Sequence, residues 1–354
     1  MRPTIRWLAP TVILIGAPLL LIASMRPNSP VARGRVSSAY QAASVARKVL
    51  VFYDLEGASG TIAERREAIV RDVSTVVSGL FEGGATTVDV LNTHGVGDPT
   101  LVPAERLDPR ARTLVRHDAS TDTWLDTYSP DNGLATPGTY DAVVAVGMHG
   151  KPLSGGFQPH TIGAGLSPVI NGATLSETEL VGYAFGTAGI SVALVSGDDR
   201  LKLDLAVVMP WVEYVVVKRA TGPNSTDPLP AQQVQSELRA AAIRAVRSVS
   251  RMRPMRLSPP VRAGLLPTFP AALPPEMKYL PGLDVRGDTV TFIASDYPTA
   301  YRGIRALATL ANANRRTLVL EFLRGRPELR ALLGEAQDSI DARWTALEER
   351  RWKP

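Results

Sequence analysis

From Lys48 onward, short apolar runs alternate with longer segments of helical character. The run Val49-Leu50-Val51-Phe52-Tyr53 is apolar at every position, the mark of a strand covered on both faces. Residues 63–82 read as a helix that stops at Gly83-Gly84. Further strands are predicted over 87–92, 141–147, 190–196 and 212–218. Strands and helices in alternation predict an α/β fold, a largely parallel sheet flanked by helices, over 48–220.

Beyond Arg219 the pattern changes. Residues 232–252 are amphipathic, with Val234, Leu238, Ile243, Val246 and Val249 on one side and several arginines on a solvated face. Residues 254–281 are rich in proline and predicted irregular; a strand over 289–294 and a helix over 299–313 follow. Together 221–315 predict a smaller C-terminal α+β subdomain, expected to cover a site or build subunit contacts. In the remainder, 316–354, Leu329, Leu333, Ala336, Ile340, Trp344 and Leu347 fall at helical spacing. That stripe predicts a helical tail packed on the parent domain.

The N-terminus has a different pattern. Arg2 and Arg6 precede an apolar run over 7–23, broken by Pro10, Thr11, Gly16 and Pro18. Residues 1–25 thus have the shape of a signal peptide or an N-terminal membrane anchor, and both readings place the protein outside the cytoplasm. Residues 26–47, rich in Ser, Ala, Arg and Pro, read as a linker. The chain has no cysteine, which excludes a disulfide framework and a lipidated cysteine after the apolar run. A formal charge of +5 without interleaved aromatic residues gives no support to nucleic-acid binding.

Candidate chemistry sits at the predicted strand ends. Asp54 and Glu56 follow the first apolar run, and strand alternation would point both the same way. Two like charges side by side are costly unless a cation or shared proton relieves them. His94 and His149 each follow another predicted strand, and His160 lies in the glycine-rich loop after His149. His117, amid polar residues, reads as solvated surface. Mixed carboxylate and imidazole ligands suit zinc, manganese or iron better than calcium or magnesium. No Gly-x-Ser-x-Gly elbow and no thiol is present, so serine and cysteine peptidase chemistry finds no support.

These residues carry a family resemblance. The pieces are Tyr53-Asp54-Leu55-Glu56-Gly57-Ala58-Ser59-Gly60, Asn92-Thr93-His94, Gly147-Met148-His149, His160-Thr161 and Ile170-Asn171-Gly172 leading to Glu177. Gly197-Asp198-Asp199-Arg200 and Tyr279-Leu280-Pro281-Gly282 continue the series. In order and spacing the chain resembles the D-aminopeptidase family of dinuclear zinc peptidases, from about Lys48 to about Asn312. The resemblance implies metal ligands at Asp54, Glu56, His94, His149 and Glu177, a catalytic histidine at His160, and a ring-shaped homo-oligomer. Glu179 is then expected to be a supporting or helix-face carboxylate.

Five ligands serve two zinc ions if one carboxylate bridges, and Asp54, set deepest, is the natural bridge. A metal pair activates water and polarises a scissile carbonyl, and a histidine that is not a ligand can carry the proton. The expected function is an exported metallo-aminopeptidase hydrolysing short peptides, including those with D-residues at the amino end. Two alternatives stand beside it: a non-catalytic metal-binding envelope module, and a metallohydrolase acting on another amide.

Overall fold

The computed structural model describes residues 48–95, 101–118 and 123–351; the signal-or-anchor segment and the linker lie outside the described residues. β1 (Lys48–Tyr53) leads through α1 (Arg65–Gly83) to β2 (Thr87–Asn92), and the short β3 (Arg112–Leu114) follows. A two-residue ladder joins β4 (His117–Asp118) to β5 (Thr123–Trp124). Next come β6 (Ala142–Met148), the hairpin β7 (Leu166–Ile170) and β8 (Ala173–Thr174), and α2 (Glu177–Thr187). β9 (Ser191–Asp198) and α3 (Asp199–Val208) precede the hairpin β10 (Glu213–Gly222) and β11 (Ser225–Pro228). The C-terminal part adds α4 (Ala231–Arg247), β12 (Val261–Pro267), β13 (Asp284–Arg286), β14 (Thr289–Ala294), α5 (Tyr297–Arg324) and α6 (Pro327–Arg351).

The larger sheet has the order β11-β10-β9-β6-β1-β2-β3 and is parallel except at the edge strand β11. Alternate residues of β1 enter two cores. Val49, Val51 and Tyr53 meet α1 and α4 through Val73, Val77, Val234 and Leu238. Leu50 and Phe52 face the other way, towards Leu180 and Phe185 of α2 and Ile304 of α5. Burial on both faces explains why the run has no polar position. Strand order reverses at β1, with β2 on one side and β6 on the other. In open α/β sheets ligands bind outside the strands' carboxyl ends at such a reversal.

A second sheet, β13-β14-β12-β7-β8, is antiparallel and packs against α5, with Leu166, Leu265 and Val290 meeting Leu307 and Ala308. Its strands β7 and β8 come from between β6 and α2, so the C-terminal strands extend a hairpin of the earlier segment. β12, the middle strand of this sheet, falls inside the stretch predicted irregular. Pro259, Pro260 and Pro267 frame it and Gly264 interrupts it, which hides a strand in which Val261, Ala263 and Leu265 are fully buried.

The tail departs from its predicted packing. α6 is helical, but of the predicted stripe only Leu329 and Leu333, near its start, are half-buried; Ala336 is exposed, and Ile340 and Trp344 are each 62% exposed rather than packed on the parent domain. The cause lies in α5, which runs past the predicted end at residue 313 to Arg324, while its last buried residue is Ala311. α5 therefore carries the chain beyond the core before α6 begins.

Candidate metal centre

Three neighbouring strands each deliver one site residue at the carboxyl end. Asp54 follows β1 directly, His149 follows β6 directly, and His94 lies two residues past β2. Glu177 opens α2, where Ser176 and Glu179 form a capping box: Glu179 Oε2 accepts from the Ser176 backbone N–H at 2.7 Å. Glu179 is thus the capping carboxylate that fixes this helix end, as expected of a supporting group. The helix N-terminus favours the negative charge of Glu177.

Asp54 and Glu56 do converge, but through a turn instead of strand alternation, because β1 ends at Tyr53. His94 Nδ1 lies 3.0 Å from Asp54 Oδ1 and 2.8 Å from Glu56 Oε2. On the other side, His149 Nε2 lies 3.6 Å from Asp54 Oδ2 and 3.9 Å from Glu177 Oε2. Two clusters result, each with ligand-capable atoms within 4.8 Å of one another: Asp54 with Glu56 and His94, and His149 with His160 and Glu177. Asp54 faces both, one oxygen to each.

The electrostatics fit a cation. Burial, then the Glu56 charge, push the Asp54 carboxyl well above the usual carboxylate range. For Glu56 burial acts in the same direction, but its contacts with His94 and Asp54 outweigh it and hold that carboxyl low. Hydrogen bonds with Asp54 and Glu56 push His94 up to about 10. The His94 proton supplies positive charge between two carboxylates, a role that a divalent cation performs more strongly.

His149 gives the sharpest sign. Its Nδ1 faces the Gly150 carbonyl at 3.0 Å, which can only accept, so Nδ1 carries the proton. Burial depresses its pKa, keeping the ring neutral. Nε2 is then a bare lone pair, buried and with no hydrogen-bond partner among the described residues. A buried acceptor left unpaired costs about 1–3 kcal/mol unless something binds it. His160 stacks on this ring at 4.4 Å between centroids, and its own Nδ1 faces the Gln158 carbonyl at 2.7 Å. That carbonyl can only accept, so Nδ1 carries a proton, and in the neutral tautomer Nε2 is the lone-pair nitrogen.

Supporting groups that the sequence did not single out fix these positions. Tyr128 donates its hydroxyl to Glu177 Oε2 at 2.7 Å, and the Ile162 N–H donates to Oε1 at 2.8 Å. Burial and then the Glu177 charge raise the Tyr128 pKa, so it remains a donor. The Lys218 Nζ, buried under the turn, donates to the Glu56 carbonyl at 2.8 Å; burial lowers its pKa to about 8. A lysine ending the run Val215-Val216-Val217 was the available signal for it. Asp198 caps α3 through Oδ1, while Oδ2 accepts from the Gly150 and Phe157 N–H groups at 3.1 and 3.3 Å. The Gly197-Asp198-Asp199 segment therefore shapes the site by pinning the loops of His149 and His160.

Gly57 closes the turn after Glu56 over the backbone beside His149. A Cβ there would lie 1.8 Å from the Met148 carbonyl oxygen, so only glycine lets the loops of Glu56 and His149 approach. The clusters open into a cavity of about 530 Å³ lined by Asp54, Glu56, His94, His160 and Glu177. A larger cavity, about 670 Å³, lies beside β12 and carries neither histidine nor a carboxylate cluster. His117 falls in β4, and its side chain lies outside the described part of the structure.

A profile of the D-aminopeptidase family matches residues 47–306, a span that contains every residue of both clusters. The chain belongs to the D-aminopeptidase family. The D-aminopeptidase of Bacillus subtilis (strain 168) is 24% identical over 280 residues, covering 75% of this chain and 97% of that protein. Among solved structures, the Zn-dependent D-aminopeptidase DppA from Bacillus subtilis, a self-compartmentalizing protease, superposes with a TM-score of 0.63. That match is 20% identical and covers 75% of this chain and 98% of the other. It shares the mostly parallel sheet flanked by helices described above, and the family is one of peptidases.

Proposed function

We propose that this D-aminopeptidase family member is a dinuclear zinc aminopeptidase that removes the amino-terminal residue of short peptides, with a preference for D-residues. The observation that carries this reading is the bare, buried Nε2 of His149, 3.6 Å from Asp54, whose other oxygen faces His94 in the neighbouring cluster. Asp54, Glu56 and His94 would hold one ion, and His149, Glu177 and Asp54 the other. A mixed imidazole and carboxylate set of this kind fits zinc. When bound, the ions polarise the scissile carbonyl and lower the pKa of a water at the site.

The remaining work falls to the chain's own groups. His160, with Nδ1–H fixed to the Gln158 carbonyl, presents Nε2 as a general base and returns the proton to the leaving amine. Tyr128 and the Ile162 N–H orient the Glu177 carboxylate from outside. Asp198 and Lys218 hold the loops so that the groups meet within ångströms, the precision that positioning requires. His160 also separates catalysis from mere metal storage, since a storage site has no use for a proton carrier.

Two further parts of the proposal rest on other features. Export is supported by Arg2 and Arg6 ahead of the apolar run over 7–23. A homo-oligomer is supported by the Bacillus subtilis relative, a self-compartmentalizing protease. Zinc-loaded protein assayed on D-Ala-D-Ala and L-Ala-L-Ala, with free alanine measured, tests the substrate. Release from the D-dipeptide at a kcat/KM on the order of tenfold or more above the L-dipeptide is expected, about 1.4 kcal/mol of discrimination. Equal rates would remove the D-preference, and no release from either would remove the peptidase.

A further inference from the structure

The cavity over the metal centre is acidic at its floor and basic on its walls. Arg116, Arg305 and Arg315 line it together with Asn312. These basic groups are not equivalent. Arg116 is engaged, its Nη1 donating to the Thr93 and Gly95 carbonyls at 2.9 Å, and so braces the His94 loop. Arg305 is neutralised by Asp126, with Nε 3.0 Å from Oδ2, while Tyr301 donates to Oδ1 at 2.7 Å. The Arg315 side chain is exposed and has neither ion pair nor hydrogen bond among the described residues. Asn312 stands one helical turn before it, its side chain likewise without a hydrogen-bond partner among the described residues, and both line the same cavity. Residues at this spacing are neighbours on a helix face.

Resting on the aminopeptidase reading, we propose that Arg315, seconded by Asn312, is the subsite for the free α-carboxylate of the peptide on the leaving-group side of the scissile bond. Polarity decides the direction. In an aminopeptidase the residue whose carbonyl meets the metal centre has beyond it an amino group, which is cationic and repelled by arginine. The segment reaching the arginine wall is therefore the carboxyl-terminal side. A guanidinium pairs a carboxylate through two parallel hydrogen bonds, and an amide side chain adds a further donor. Scale agrees: an extended peptide spans about 3.3–3.6 Å per residue, so one or two residues beyond the cut suffice to cross a cavity of this size. Arg315 lies past the span matched by the family, which ends at 306. The proposed carboxylate subsite therefore sits on the part of α5 that follows the matched span.

The test is steady-state kinetics of zinc-loaded full-length protein on three peptides: D-Ala-D-Ala, its C-terminal amide, and D-Ala-Glu amide, which moves the carboxylate to a side chain. Wild type is expected to favour the free acid over its amide about tenfold in kcat/KM, mainly through KM. Arg315→Ala is expected to shrink that acid-to-amide ratio towards one, and Arg315→Lys to restore part of it. Equal use of acid and amide by wild type, or an unchanged ratio in Arg315→Ala, overturns the subsite while leaving the peptidase intact. Preference for the Glu amide over the free acid overturns the terminal-carboxylate assignment. No turnover of any of the three overturns the peptidase reading itself.

Discussion

Asp54→Asn is expected to lower turnover on the order of 10³-fold and to remove most of the bound metal. Loss of a group that merely orients a ligand typically costs 10–100-fold, and Asp54 is more central than that. One of its oxygens lies 3.0 Å from His94 Nδ1 and the other 3.6 Å from His149 Nε2, so it presents a ligand-capable atom to each cluster. Asparagine keeps the shape but offers one oxygen and no charge. Stability should move the opposite way in metal-free protein. The Asp54 carboxyl is raised well above its usual range, first by burial and then by Glu56. A carboxyl with a raised folded pKa imposes a penalty that grows as pH rises above its unfolded value. Near pH 7 metal-free Asp54→Asn is therefore expected to melt no lower than metal-free wild type. Zinc should raise the melting temperature of wild type alone; saturation at a hundred times the dissociation constant is worth about 2.7 kcal/mol. Thermal melts of both proteins with and without zinc check the two signs together.

His160→Ala is expected to lower kcat by about 10²–10⁴-fold, the usual span for general acid–base catalysis, with bound zinc unchanged. The metal measurement matters because His160 lies within ligand distance of His149 and Glu177. If His160 were a ligand, alanine would empty one site and lower metal content with activity. If it is the proton carrier, its replacement should leave metal content unchanged and alter only the pH profile and the rate. Its ring stacks on His149 at 4.4 Å, so His160→Asn, which preserves some polar bulk, controls for collapse of the loop. Zinc content per chain, measured alongside kcat for both variants, separates the roles.

The parallel sheet was legible because burial on both faces forces runs such as Val49 to Tyr53 to be apolar throughout. β12 was not, because its signal is confined to Val261, Ala263 and Leu265 between prolines, and a strand is recognised there only once β7 and β14 flank it. The tail misled for a related reason: helical spacing of Ile340 and Trp344 shows amphipathicity, but not whether a surface lies within reach. At the site, the family resemblance picked out Asp54, Glu56, His94, His149 and Glu177, and the fold places them, with His160, in two neighbouring clusters. Their supports were not. Tyr128, Lys218 and Asp198 act through hydrogen bonds across 49, 162 and 48 residues of sequence, contacts that no local pattern encodes. The convergence of Asp54 and Glu56 was anticipated for the wrong cause, since the turn at Gly57, not strand alternation, aims Glu56.

The central claim is a metal pair that performs hydrolysis, and metal content measured with activity tests it most directly. Purified full-length protein would be analysed for zinc and assayed for D-Ala release from D-Ala-D-Ala before chelation, after chelation, and after zinc is restored. Two zinc ions per chain, activity lost with them and regained on their return, is the predicted result. Protein that binds no metal, or that releases D-Ala equally well after chelation, would contradict it.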